Sequence, residues 1–317
     1  FAVMKELTAS GVSLVYISHR MEEIFKICDR ITVMRDGVSV ATSYIKDTSF
    51  EEIVKQMVGR ELEDRYPARV PKYGKTVFEV KGLSRKGVFE DISFSVKEGE
   101  ILGISGLMGA GRTEIMRAIF GLDPYDSGNI VMNGESVTIK SPADAADKRI
   151  AFVTEDRKDE GLILDYSIRD NIMLPNLKSF SSYGVIQTKD EKSFVQTMVK
   201  RLKVKTESEE KSVGDLSGGN QQKVVLAKWI GKQPKVLIMD EPTRGIDVGA
   251  KREIYQLMNE LTDRGMAIIM ISSDLPEILG MSDRILVIHE GKISGELMRD
   301  EATQEKIMTF ATGGNEK

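Results

Sequence analysis

Leu216-Ser217-Gly218-Gly219-Asn220-Gln221-Gln222-Lys223 is followed by Val236-Leu237-Ile238-Met239-Asp240-Glu241-Pro242-Thr243, and these two runs decide the fold. The first sets small polar residues and two glycines at a helix start, where bare backbone N–H groups and the helix dipole suit a phosphate. In the second, four apolar residues precede paired carboxylates. That is the signature of a parallel strand covered on both faces, delivering its acids to the carboxyl edge of a sheet, where ligands bind. Together the runs point to an α/β nucleoside triphosphatase.

Upstream, Gly106-Leu107-Met108-Gly109-Ala110-Gly111-Arg112-Thr113 follows the buried run Ile101–Ile104 and precedes a helical segment from Glu114 to Phe120. Its spacing is that of a phosphate-cradling loop. The glycines let backbone N–H groups face phosphate oxygens, and Thr113 is placed to ligate magnesium together with Asp240. Arg112 stands where lysine is usual. Its planar fork is not equivalent to a compact ammonium, so nucleotide binding is expected to survive better than hydrolysis. A dinucleotide fingerprint fails because Glu114 occupies the place of its third glycine.

The 317 residues, 41% hydrophobic and 30% charged, suffice for a sizeable core and one or two domains. A net charge of −4 with scattered cations argues against nucleic acid as a partner. The single cysteine, Cys28, excludes an internal disulfide and fits a reducing compartment. Apolar runs such as Met266–Ile271 fall far short of the ~18 residues of a membrane span, so a membrane role would be borrowed from a partner.

Part of the chain is repeated. Gly265, Ile271-Ser272, Glu277-Ile278, Asp283-Arg284-Ile285 and Gly291 follow Gly11, Ile17-Ser18, Glu23-Ile24, Asp29-Arg30-Ile31 and Gly37 at a constant offset of 254 (265 − 11, 283 − 29). The match continues to Ile53 and Ile307, and to Gly59 and Gly313. An ungapped repeat of this length is a duplicated domain. Residues 1–60 are therefore expected to be the end of a first unit, 61–75 a linker, 76–312 a complete second unit and 313–317 a tail. A strand is expected from Val12 to Ser18.

The run Leu216–Val224, the strand Val236–Thr243 and the loop Arg244-Gly245-Ile246-Asp247 resemble the signature, Walker B and D-loop motifs of ABC ATPases. With Glu155-Asp156-Arg157-Lys158, the variant loop Gly106–Glu114 and the duplication, the chain is similar to the ATP-binding subunits of bacterial monosaccharide importers of the ribose, galactose and arabinose type. That likeness implies a P-loop fold with a mainly parallel core sheet, an antiparallel β-subdomain and a helical subdomain near 156–225. It implies ATP and Mg2+ as cofactors and integral membrane permease subunits as partners. An extracytoplasmic sugar-binding protein would act through the permease, and the subunit would lie peripherally on the cytoplasmic face of the membrane.

The same likeness assigns residues to two sites, because ATP in such proteins lies between the phosphate loop of one domain and the signature of the other. Ser217, Gly218, Gly219 and Asn220 would grip ATP held by a first nucleotide-binding domain, with His19 as the switch histidine of that site. The other site would use Gly106, Gly109, Ala110, Gly111, Arg112, Thr113 and Glu114 on the phosphates, Asp240 for magnesium and Glu241 as general base. It departs from the family norm in Arg112, in Ser273 at the switch position and in Glu155 where glutamine is usual. Slow or absent turnover is expected there, which leaves a non-catalytic, regulatory half as the alternative reading. A soluble ABC-type ATPase acting on ribosomes or DNA is disfavoured by the charge. Trp229, Cys28 and most methionines read as packing, His289 as surface, and Gly161-Leu162-Ile163-Leu164 as an even choice between core and permease contact.

Overall fold

β-Branched and aliphatic runs with no polar interruption dictate where the core lies, and the computed structural model places them in one sheet. It describes residues 1–17, 21–35, 38–49, 52–53, 56, 66–182 and 185–314. These fall into two units, Phe1–Arg65 with Asp247–Arg252, and Tyr66–Ile246 with Glu253–Lys317.

The first unit holds α1 (Ala2–Ala9), α2 (Met21–Ile27) and an antiparallel pair, β1 (Arg30–Arg35) and β2 (Val38–Tyr44). Ile24, Ile31, Val33 and Ile53 form its small core, with Phe25, Cys28 and Ile45 against it. Cys28 is thus a packing residue. The expected strand from Val12 is not formed over 12–17, and Val15 and Ile17 are each 93% exposed. The matching segment of the second unit lies between two parallel neighbours. Among the described residues, 12–17 has no such neighbour to take its backbone hydrogen bonds, and an apolar run alone does not make a strand. Ser18 and His19 lie outside the described residues.

The second unit begins with β3 (Thr76–Arg85), β4 (Phe89–Lys97) and β5 (Ile101–Gly106), then α3 (Arg112–Ile119), β6 (Ser127–Met132), β7 (Glu135–Val137), α4 (Pro142–Asp147) and β8 (Ile150–Val153). A helical stretch follows: α5 (Ile168–Met173), a two-residue ladder of β9 (Ser181–Ser182) and β10 (Val185–Ile186), α6 (Thr188–Arg201) and α7 (Gly218–Ile230). β11 (Val236–Asp240), α8 (Val248–Asp263, of which 253–263 fall in this unit), β12 (Ala267–Ile271), α9 (Leu275–Met281), β13 (Arg284–His289), β14 (Lys292–Met298) and α10 (Gln304–Ala311) complete it.

Strand order β14-β13-β5-β12-β11-β8 makes the main sheet, parallel except for the edge pair β13–β14, and β4-β3-β6-β7 is a separate antiparallel sheet. β8, β11 and β12 are buried at every position, as a sheet covered on both faces requires. Trp229 meets Phe120 edge-on at 5.5 Å, so it buries a face. In the stretch 161–164, Gly161 and Leu162 are buried while Ile163 is 41% exposed.

The repeat is reproduced element by element. α9, β13 and β14 lie 254 residues after α2, β1 and β2 at both ends (275 − 21, 289 − 35, 298 − 44), and both hairpins carry a bulge at the equivalent step, Val33/Met34 and Val287/Ile288. Ile53 and Ile307 are both fully buried. His289, read as surface, is instead half-buried: its Nδ1–H donates to Ala311 O at 2.9 Å and ties β13 to the end of α10.

Residues 66–75 have no helix or strand and are anchored to the second unit. Tyr66 packs on Tyr255, ring centroids 5.3 Å apart, over Gly280, where a Cβ would lie 2.4 Å from the Tyr66 ring. Asn259 Nδ2 donates to Pro67 O at 3.0 Å, and Gly74 N to Glu98 O at 2.9 Å. Tyr66→Ala is expected to lower the urea unfolding free energy of this unit by about 2 kcal/mol, below the usual loss for a fully buried aromatic because the ring is half-exposed. An unchanged unfolding midpoint would mean that the anchoring contributes nothing.

Candidate nucleotide site

The parallel register brings three strand ends together. β5 ends at Gly106, β12 at Ile271 and β11 at Asp240, with Ile104 paired to Ile271 and Ile271 to Asp240. From β5 the chain turns sharply: Gly106, Gly109 and Gly111 have φ of +149°, +78° and +100°, values that L side chains rarely adopt. The loop is open to solvent, with Met108 97% exposed, and it closes where Ala110 accepts from Gly291 N at 2.8 Å. Arg112, Thr113 and Glu114 start α3, whose leading N–H groups are free for an anion.

Thr113 and Asp240 meet: the threonine hydroxyl donates to Asp240 Oδ2 at 2.7 Å. Burial pushes the Asp240 carboxyl up to about 6, a rise that the Thr113 hydrogen bond opposes. Glu241 follows at φ +46°, its N–H donating to Ile271 O at 2.9 Å. Its Oε1 accepts from the backbone N–H of Ser273 at 2.7 Å, and burial raises its carboxyl against that bond. Arg112 Nη1 donates to Ser272 O at 3.2 Å. The Ser272–Ser273 peptide thus holds both the cation of the loop and the second acid. Behind them, Glu277 accepts from Thr243 Oγ1 at 2.6 Å and from Tyr255 OH at 2.8 Å, fixing the turn that follows Glu241.

Ser217, Gly218, Gly219 and Asn220 lie at the start of α7 and do not bond to this cluster. Asn220 Nδ2 donates to Ser217 Oγ at 3.0 Å, and its Oδ1 accepts from Lys205 N at 2.8 Å. Ser217 is exposed, and its side chain caps no N–H of its own helix. The signature residues and the Thr113–Asp240 cluster are thus two separate groups on one unit. Glu155 is exposed and ion-paired with Arg244, and Asp247 Oδ1 accepts from Ala250 N at 3.0 Å at the start of α8.

Two functional candidates escape a reading of residues alone. Glu277 and Arg157 look like ordinary surface charges on short helical stretches. The available signals were the repetition of Glu277 at Glu23 and the unusual run Glu155–Lys158.

A family profile described as "ABC transporter" matches residues 89–244, which include the phosphate loop, the signature and the acidic strand. The chain carries an ABC transporter ATPase domain over these residues. Among its ABC relatives, the ribose import ATP-binding protein RbsA of Oceanobacillus iheyensis is 73% identical over 99% of this chain, and that of Bacillus subtilis is 66% identical over 99%. The chain spans 64% of the length of each of these two relatives. An ABC transporter ATP-binding cassette crystallised in its ADP conformation has the same fold, with a TM-score of 0.60 at 21% identity, covering 74% of this chain and 94% of that one.

Proposed function

We propose that this chain is part of an ATP-binding subunit that energises import of a monosaccharide of the ribose class. The observation that carries the reading is the meeting of Thr113 with Asp240 at the mouth of the glycine loop, with Glu241 held beside them. The RbsA relatives support ribose as the substrate class. Integral membrane permease subunits would be the partners, with an extracytoplasmic sugar-binding protein acting through them and this subunit lying on the cytoplasmic face. Residues 1–60 would be the end of a first nucleotide-binding domain, and 76–312 the second.

The donors at the loop fit magnesium. Thr113 and Asp240 offer only oxygen, and the desolvated Asp240 carboxylate lacks a full counter-charge. Among the described residues no cluster of three or more His, Cys, Asp or Glu forms an all-protein cage, and magnesium commonly takes one or two carboxylates with substrate phosphates. When bound, Mg2+ would supply charge neutralisation to the phosphates. The chain's own groups do the rest: the loop glycines present N–H groups, Arg112 adds positive charge, and Glu241 would accept the proton of an attacking water.

Arg112 donates to Ser272 O, and Glu241 is engaged by Ser273 in the place of a switch histidine. Both contacts favour slow turnover at this site. The faster site would be the one gripped by Ser217–Asn220, for which the family likeness offers His19, outside the described residues, as switch histidine. In the full-length protein assembled with its permease, Ser217→Ala is expected to cut Mg-ATP turnover about tenfold or more, whereas Glu241→Gln changes it less than about twofold. Abolition by Glu241→Gln would overturn the assignment of slow turnover here. ATPase activity indifferent to a ribose-loaded binding protein would overturn the substrate class.

A further inference from the structure

We propose that Arg157 is a positioning residue that locks the start of the signature helix to the turn after the acid pair, an inference that rests on the transporter reading above. Arg157 opens a single π-helical turn, Arg157–Gly161, which Asp156 caps by accepting from Lys158 N at 2.8 Å and Asp159 N at 3.1 Å. π turns are rare and cluster at functional positions.

The Arg157 guanidinium serves three acceptors on two elements. It donates to Arg244 O at 3.0 Å, to Gly245 O at 3.4 Å and to Gln221 Oε1 of α7 at 3.4 Å. A planar fork of fixed donors does this; a lysine ammonium would reach one of them. Gly218 lies against the fork so closely that a Cβ there would sit 2.7 Å from Arg157 Nη2 and 3.1 Å from Gly245 O. A side chain at that place in the signature would displace the fork.

The turn is itself braced from two sides. Glu160 pairs with Arg117 of α3 at 2.9 Å, and Lys228 Nζ of α7 donates to Gly161 O at 3.0 Å. One five-residue turn therefore touches the helix of the phosphate loop, the signature helix and the turn leaving Glu241. In the transporter reading Ser217–Asn220 serve one ATP, while Asp240 and Glu241 serve another. Arg157 sets the distance between these half-sites within one unit, so its loss misplaces the signature without removing any group that touches nucleotide.

The test uses the full-length protein assembled with its permease, comparing wild type, Arg157→Ala and Arg157→Lys for Mg-ATP turnover and thermal unfolding. Arg157→Ala is expected to lower kcat about tenfold with KM within about twofold and the thermal midpoint within about 3 °C of wild type. Arg157→Lys is expected to restore part of the lost rate through its single contact. A fall in kcat of less than about threefold overturns the inference, as does a larger fall accompanied by a midpoint drop beyond about 3 °C, which assigns Arg157 to folding. Should Arg157→Ala fail to fold, Arg157→Gln carries the same measurements and thresholds. A wild-type assembly without Mg-ATP turnover overturns the transporter reading together with this inference; a normal wild type with a normal variant overturns the inference alone.

Discussion

Gly106→Ala is expected to destabilise the second unit by several kcal/mol, the largest effect of any single methyl group in the site. Gly106 has φ +149°, a region open essentially to glycine alone, and its Cβ would lie 2.3 Å from Ile288 O. That oxygen is backbone, and Ile288 is the residue paired with Gly106 in the parallel ladder between β13 and β5. Neither partner can turn aside without breaking the ladder. Backbone strain of about 1–3 kcal/mol and overpacking of about 1–3 kcal/mol add here, giving about 2–6 kcal/mol. Equilibrium urea unfolding should show the loss as a lower midpoint at unchanged slope. A variant within about 0.5 kcal/mol of wild type would show that the loop leaves β5 along another path.

Asp283→Ala should cost about 3–5 kcal/mol, because it strands a buried guanidinium. Arg69 and Asp283 pair at 2.6 Å with side chains only 4% and 1% exposed. Arg69 also donates to Gly99 O, and Asp283 Oδ2 accepts the N–H of Ile101 at 2.8 Å at the very start of β5. Loss of the aspartate therefore unpairs a cation and a backbone donor together. Arg69→Met combined with Asp283→Asn removes the charge and keeps an acceptor for Ile101. That double variant should be more stable than either Asp283→Ala or Arg69→Ala, since replacing both charges avoids the uncompensated one. Denaturant titration of the three variants decides it; equal losses in all three would contradict a buried-charge origin.

The fold was legible where one local rule sufficed. The uninterrupted apolar runs became the fully buried strands β8, β11 and β12, and the offset of 254 was reproduced in α9, β13 and β14. Within the site, Thr113 in the first turn of α3 and Asp240 at the end of β11 came together. Other features depend on neighbours far away in the chain. Val12–Ile17 has an apolar pattern like that of β12, but the described residues give it no flanking strands. The pair of Arg69 and Asp283 joins residues 214 apart, and Arg157 reaches Arg244 across 87, separations that periodicity does not register. Arg112 and Glu241 were legible as residue types. Their hold on Ser272 and Ser273 follows from how β12 ends between β5 and β11.

The two copies of the hairpin also separate what is encoded nearby from what is encoded at a distance. β1 and β2 keep the same register and bulge as β13 and β14, with every paired residue within one short loop of its partner, Arg30 opposite Tyr44 at the widest. Segment 13–17 stands at the offset of 254 from β12 with a similar apolar pattern, yet forms no strand. Contacts of short loop length close early and cheaply, whereas a central parallel strand waits for partners that pay a larger closure entropy. By closure entropy alone, the hairpin with its preceding helix is expected to form early in each unit, and in the second unit the central strand β12 is expected to come later.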